Sequence, residues 1–379
     1  MDTASPLDRW ALDPAVVHLN HGSFGGCLRT VLDAATAIRA RMEAAPMKFF
    51  VLEWQDELDR ARTDLAAFVG TTAEHLVFVP GATTGVALAL AAIELAAGDE
   101  VVPTSPVYPA CRYQLARLAE ARGAKLVFVD VPLPFDPDAL IERIAAAITS
   151  RTKLALLDHI TSPTALVYPL ARLIPLFSAR SIPVIVDGAH APGQLPLSLD
   201  ALGATYYVGN NHKWLCGPKA SGFLVARAPL RPLVTSHGAN PAYGPTNRLH
   251  AELDWSGSYD PAPQLAVPIA IAAVGIEGGG WPAVYARNHA LALALRERLG
   301  GTLLAPDSSI GTMAALPLEL PAGVTPHQLE RRLLAEGWEV PIVDFPGQPL
   351  VRVSAHLYNT IDQADALGRK LHELGAKVC

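Results

Sequence analysis

The chain is predicted to be an α/β protein, with a parallel sheet between helices and a smaller α+β region after it. Two observations lead there. Between residues 76 and 187 short apolar runs alternate with helical stretches, and beyond residue 228 the pattern breaks into an irregular connection followed by mixed helices and strands. Runs that are apolar throughout, rather than at every second position, indicate strands covered on both faces. A length of 379 residues exceeds one ordinary core, so two domains are expected.

Taken in order, LVFV at 76–79 leads to a helix from Ala82, EVVP at 100–103 to one from Tyr108, and KLVFVDV at 125–131 to one from Asp136. KLALLD at 153–158 precedes a helix beginning near Pro169, and PVIVD at 183–187 precedes the loop GAHAPGQ. Ligands of such sheets bind at the carboxyl ends of the strands, where Asp158, His159 and Asp187 fall. SGFLVA reads as a further strand. Residues 228–264, rich in proline, glycine and polar residues, read as a long irregular connection of the kind that is usually functional or interfacial. Helical patterns at 265–276 and 282–299, a strand TMAALPL, a helix from Thr325 and the pair WEVPIV and LVRVSA complete the chain. GVALALAAIELAAG, broken by Glu94 and ended by Gly98 and Asp99, is a core helix rather than a membrane span.

Composition narrows the classes of function. Half of the residues are hydrophobic and 17% are charged, as expected of a compact enzyme with extensive burial or a subunit interface. The net charge of −6 is spread along the chain, with no basic stripe for nucleic acid and no polybasic membrane signal, so small molecules are the expected partners. The N-terminus lacks a charged region followed by an apolar run, which makes a cytoplasmic location the expectation. Cys27, Cys111, Cys216 and Cys379 are scattered and form no CxxC pair, so neither a metal site nor a disulfide framework is expected.

The chemistry centres on Lys213, in YYVGNNHKWLCGPKASGFLVAR, and Asp187, in VIVDGAHAPGQ. Lys213 follows an apolar stretch and precedes the turn Gly217-Pro218 and a strand, a setting unlike that of a solvated surface lysine. An aspartate closing an apolar strand commonly caps the next element; paired with such a lysine, it also suits a cofactor with an aldehyde and a ring nitrogen. Lys213 would form a Schiff base with the carbonyl carbon and Asp187 would hold the proton on the nitrogen, which implies pyridoxal phosphate. PGATTG opens directly into a helix, exposing N–H groups and the positive end of the helix dipole. Two readings of that loop stand, an ordinary N-cap or an anion site with Thr83 and Thr84 as hydroxyl donors. It matches neither GxxxxGK[ST] nor GxGxxG.

HLNHGSFG, PGATTG, DHITSPTALVYP, VDGAHAPGQ, GNNHKWLCGPKASGFL and VRVSAHLYNT together resemble the class V aminotransferase group of fold type I pyridoxal phosphate enzymes, closest to isopenicillin N epimerase-like proteins. The resemblance runs from about residue 17 to about residue 370 with the motifs in the family's order. It implies a large domain with a mostly parallel seven-stranded sheet between helices and a smaller α+β C-terminal domain. We place the boundaries at 1–20 for an N-terminal segment packing on the small domain, 21–255 for the large domain and 256–379 for the small one.

The resemblance also assigns residues. Lys213 is the Schiff-base lysine and Asp187 the partner of the pyridinium nitrogen. His190 lies near the phenolic oxygen or the phosphate, Ala189 packs beneath the ring, Ala82 and Thr83 bind the phosphate through backbone and hydroxyl donors, and His212 is another contact of the phosphate or the lysine loop. Tyr108 stacks on the cofactor's open face, and Ser162 is the polar residue near the phenolic oxygen, with Thr161 a close competitor. Arg352 binds the substrate α-carboxylate through a bidentate, charge-assisted pair, the alternative being a strand arginine facing solvent. Asn20 and His21 belong to a loop closing over the substrate, the alternative being a plain turn. The family's Gly-Thr-Arg-Asp stretch, which reaches a neighbouring subunit's phosphate, reads Gly257, Ser258, Tyr259, Asp260 here. Ser258 can still donate to a phosphate, whereas Tyr259 in place of arginine puts the substrate preference of the best-known members in doubt. A crossing loop makes the enzyme a homodimer.

Three outcomes can follow removal of an α-proton by the freed lysine: epimerisation or racemisation, transamination, and β-elimination as in a C–S lyase. The epimerase needs a second acid opposite Lys213, for which Tyr108 and His21 are the candidates. A cysteine desulfurase needs a thiolate shortly before the carboxylate-binding arginine, and no cysteine lies between Cys216 and Cys379. A non-catalytic cofactor-binding or regulatory protein on the same scaffold is the alternative from another class.

Overall fold

The computed structural model describes residues 6–231 and 247–379. A seven-stranded sheet runs in the order Leu76–Val79, Gly222–Ala226, Tyr206–Asn210, Val184–Asp187, Thr152–Asp158, Glu100–Pro103 and Lys125–Leu126. Every pairing is parallel except the two made by Gly222–Ala226. Both faces are covered, as the unbroken apolar runs require. Ala155, Leu157, Val184 and Val186 pack into one core with the helices Trp54–Val69, Pro137–Ala147 and Leu170–Ser178. Leu154, Leu156 and Ile185 pack into the other with Ala82–Ala91 and Pro109–Arg122.

A second, four-stranded antiparallel sheet has the order Ile342–Val343, Leu350–Ser354, Met313–Glu319, Lys377–Val378. Its core joins Leu316, Val351 and Val353 to Leu329 and Leu333 of the helix Pro326–Ala335, which Thr325 and Gln328 start with a reciprocal capping box. Val17 and His18 pair in parallel with Trp338 and Glu339. Because side chains alternate along a strand, placing Val351 and Val353 in this core turns Arg352 to the opposite face.

Two elements differ from expectation. The strand expected at 125–131 pairs continuously only at Lys125–Leu126, with a bridge at Val129; it is the sheet's edge and has a neighbour on one side alone. The connection expected to be irregular over 228–264 contains a helix, Arg248–Leu253, capped by the Asn247 side chain on the N–H groups of Leu249 and His250. An asparagine cap preceding a short polar helix is hard to separate by pattern from a turn-rich loop. Within that stretch, residues 232–246 lie outside the described residues. Among the described residues no single helix is long and apolar enough to cross a membrane.

Candidate active site

The carboxyl ends of the central strands open onto a cleft. Lys213, Asp187, His190, His212, Ala82, Thr83, Tyr108 and Ser162 all line it, as do Ala189, Asp158, Asn210, Ser23 and Phe24. Asp187 is the last residue of its strand, and the loop holding Lys213 leaves the adjacent strand after Asn210. The loop closes on itself: Gly217 donates to Asn211 O (2.9 Å) and Cys216 to Lys213 O (2.9 Å). Cys216 there adopts φ +57°, a left-handed conformation that costs a residue with a side chain about 1–2 kcal/mol.

Lys213 Nζ lies 3.0 Å from His190 Nε2. Burial lowers the lysine to about 7, with Arg352 adding to the effect and Asp187 opposing it, so a large share of the amine is neutral near pH 7. Burial, and then the Lys213 charge, hold His190 far below the ordinary histidine value. Asp187 accepts from the Ala189 N–H (3.0 Å) and the Cys111 thiol (3.4 Å). Its register partner Asp158 is pushed well above the usual carboxylate range, first by burial and then by Asp187. Two adjacent buried carboxylates do not both ionise readily, which is why Asp158 takes up a proton so easily.

At the glycine-rich turn the N–H groups of Thr84 and Gly85 turn back to Gly81 O, and that of Ala82 donates to Asn210 Oδ1 (2.8 Å). The expected role of Ala82 as a backbone donor to phosphate is therefore corrected, because its N–H is already engaged. Thr83, exposed at the second position of a ten-residue helix, supplies the N–H and hydroxyl available to an anion. Asn210 was not singled out from the sequence; its signal is its place three residues before Lys213. Ser162 lines the cleft and Thr161 does not, since the Thr161 hydroxyl is engaged with Thr164 and the Leu166 N–H.

The remaining expected residues lie outside the cleft. Arg352 is buried behind Ser162, donating to its carbonyl and hydroxyl oxygens, and to Asn20 Oδ1 (3.3 Å) and Ser23 Oγ (3.1 Å). Its Nε has no hydrogen-bond partner among the described residues, and burial lowers the guanidinium to about 10. Asn20 thus holds the arginine instead of contacting the cleft. His21, expected at the substrate and as a second acid, is buried beneath the lysine loop: Nε2 meets Lys213 O (3.1 Å) and Nδ1 meets the Tyr358 hydroxyl (2.9 Å). Ser258 is exposed and outside its own chain's cleft, while Tyr259 packs against Trp54 and Trp255.

These side chains suit pyridoxal phosphate: a dry amine with lowered basicity, the Asp187 carboxylate at a strand end, a helix N-terminus with a free threonine, and a buried His190 Nδ1 without a partner among the described residues. The class that fold and site define is a fold type I pyridoxal phosphate enzyme. The family model for aminotransferase class-V matches residues 27–240, and the chain belongs to that family. Isopenicillin N epimerase of Amycolatopsis lactamdurans is 36% identical over 98% of both chains. A putative L-cysteine desulfhydrase of Oryza sativa subsp. japonica is 28% identical over 94% of this chain and 84% of its own. Among solved structures, the cystine C–S lyase C-DES with its product cysteine persulfide superposes with a TM-score of 0.81 at 20% identity, over 94% of this chain and 97% of that one; another C-DES structure carries glycine covalently linked to its PLP cofactor.

Proposed function

We propose that the protein is an epimerase or racemase acting at the α-carbon of an amino acid or amino-acid-derived substrate. The observation that carries this reading is the full-length similarity to isopenicillin N epimerase. Bound pyridoxal phosphate supplies an aldehyde that condenses with amines and a ring that draws electrons from the α-carbon. Lys213 would hold the aldehyde, Asp187 the ring nitrogen, and Thr83 the phosphate, with Ser258 of a second copy assisting in a homodimer. Arg352 would orient the substrate carboxylate once Ser162, Asn20 and Ser23 yield it. The Lys213 amine would take the α-proton on one face. Tyr108, 41% exposed at the cleft, would return a proton from the other, a role for which His21 is too deeply committed.

The test is to incubate the enzyme with an amino-acid panel in heavy water. Deuterium at the α-carbon with loss of optical purity is expected; a keto acid with no exchange into recovered substrate would overturn the reading. β-Elimination is the second reading, favoured by the similarity to the desulfhydrase, and pyruvate with a released thiol would be its mark. Persulfide formation on the enzyme is disfavoured, since no cysteine lies between Cys216 and Cys379.

A further inference from the structure

The turn at residues 20–25 packs on the backbone of the lysine loop rather than on the cleft alone. Gly25, at φ +72°, lies so close that a Cβ would sit 2.0 Å from His212 O and 2.9 Å from Lys213 O. At the start of the same turn His21 stands between that carbonyl and Tyr358. A carbonyl only accepts, so Nε2 carries the hydrogen; Nδ1 then accepts from the Tyr358 hydroxyl and, at 3.3 Å, from the Gly26 N–H. Burial lowers His21 to about 3, which keeps the ring uncharged in this one tautomer.

The packing around the ring has no other evident use. His356 stacks on His21 at 4.0 Å and 17°, and Cys216 Sγ lies 3.6 and 3.5 Å from the two Nε2 atoms. The three could be taken for metal ligands. Rings so nearly parallel send their lone pairs side by side, not to one ion, and the His21 Nε2 is already donating.

We propose that His21 is a positioning residue for Lys213, holding its main-chain carbonyl through Nε2–H while the Tyr358 hydroxyl fixes the ring's tautomer and orientation. The inference rests on the reading of Lys213 as the cofactor lysine. The amine faces His190, Asp187, Arg352 and His212, while His21 has Tyr358, Cys216, His356, Lys219 and His18 about it. A loosened loop lets the Lys213 amine leave His190 and regain water, raising its basicity.

The test measures the pH midpoint of Lys213 modification by trinitrobenzenesulfonate, read by peptide mass spectrometry on the full chain after hydroxylamine has removed any cofactor. His21→Leu is expected to raise the midpoint by one unit or more and His21→Gln, which keeps an N–H donor, by less than half a unit. Tyr358→Phe should fall between. A folded His21→Leu protein with the wild-type midpoint, or His21→Gln as altered as His21→Leu, would overturn the proposal. Should His21→Leu fail to fold, Tyr358→Phe decides, an unchanged midpoint refuting the role. Failure of the cofactor reading is separately visible, as a wild-type protein without visible absorbance and with no borohydride-fixed adduct on Lys213.

Discussion

The seven-stranded sheet and the four-stranded sheet prepare their ends of the site in different ways. The first delivers Asp187 and Lys213 at strand ends, facing an open cleft, with their donors already arranged. The second delivers one group, Arg352, from mid-strand, and its guanidinium is occupied by Ser162, Asn20 and Ser23. On the proposed reading the cofactor end is built in advance, whereas the substrate end would be a latched cation that an incoming carboxylate has to unlatch. Rigid placement serves a group bound permanently, and exchangeable hydrogen bonds serve one that comes and goes.

Lys213→Ala probes the pre-built end most severely. Activity should fall by about 10³-fold or more, since both the condensing amine and the base are lost. The visible absorbance should lose its borohydride-fixable component; a variant that keeps both would remove Lys213 from the chemistry. At the latched end, Arg352→Lys should lower kcat/KM by roughly 10–100-fold, the equivalent of about 1.5–3 kcal/mol for a charge-assisted bond, mainly through KM. An unchanged KM for amino-acid substrates would mean that the carboxylate is held elsewhere.

A dry cofactor end also has to keep its histidines uncharged. Burial lowers His21 to about 3 and His159 and His212 to about 4, so the unfolded chain takes up protons first as the pH drops below about 6.5. Their stabilising contribution is complete above that pH and is lost progressively toward pH 4, with the raised Asp158 opposing the trend. The urea midpoint should therefore be lower at pH 4.5 than at pH 7.5, and equal midpoints would show that these rings are hydrated. The smallest effect is expected from Ser23→Ala, which removes one of the latches on Arg352: a change of a few-fold in KM, the equivalent of about 0.5–1.5 kcal/mol. A loss as large as that of Arg352→Lys would make Ser23 a direct substrate contact.

Much of the cofactor end was legible in the chain. Asp187 and Lys213 stand out because the first closes an apolar strand and the second lies between an apolar stretch and the turn Gly217-Pro218 with a strand after it, and strand ends in such sheets are where ligands bind. Thr83 was legible as a hydroxylated residue opening a helix. What escaped was whichever group, main-chain or side-chain, a distant segment had already engaged. Ala82 loses its N–H to Asn210, Asn20 turns to Arg352, and His21 sits beneath Lys213 although 192 residues separate the two.

The order of apolar runs, the lysine, the aspartate and the family they mark were set by the amino-acid sequence, since local pattern and residue type carry that information directly. Which nitrogen of His21 donates, how far burial depresses Lys213 and what holds Arg352 were decided by the folded arrangement alone. Hydrogen-bond partners and loss of water arise only when segments far apart in the chain meet, and no local window contains both sides of such a contact.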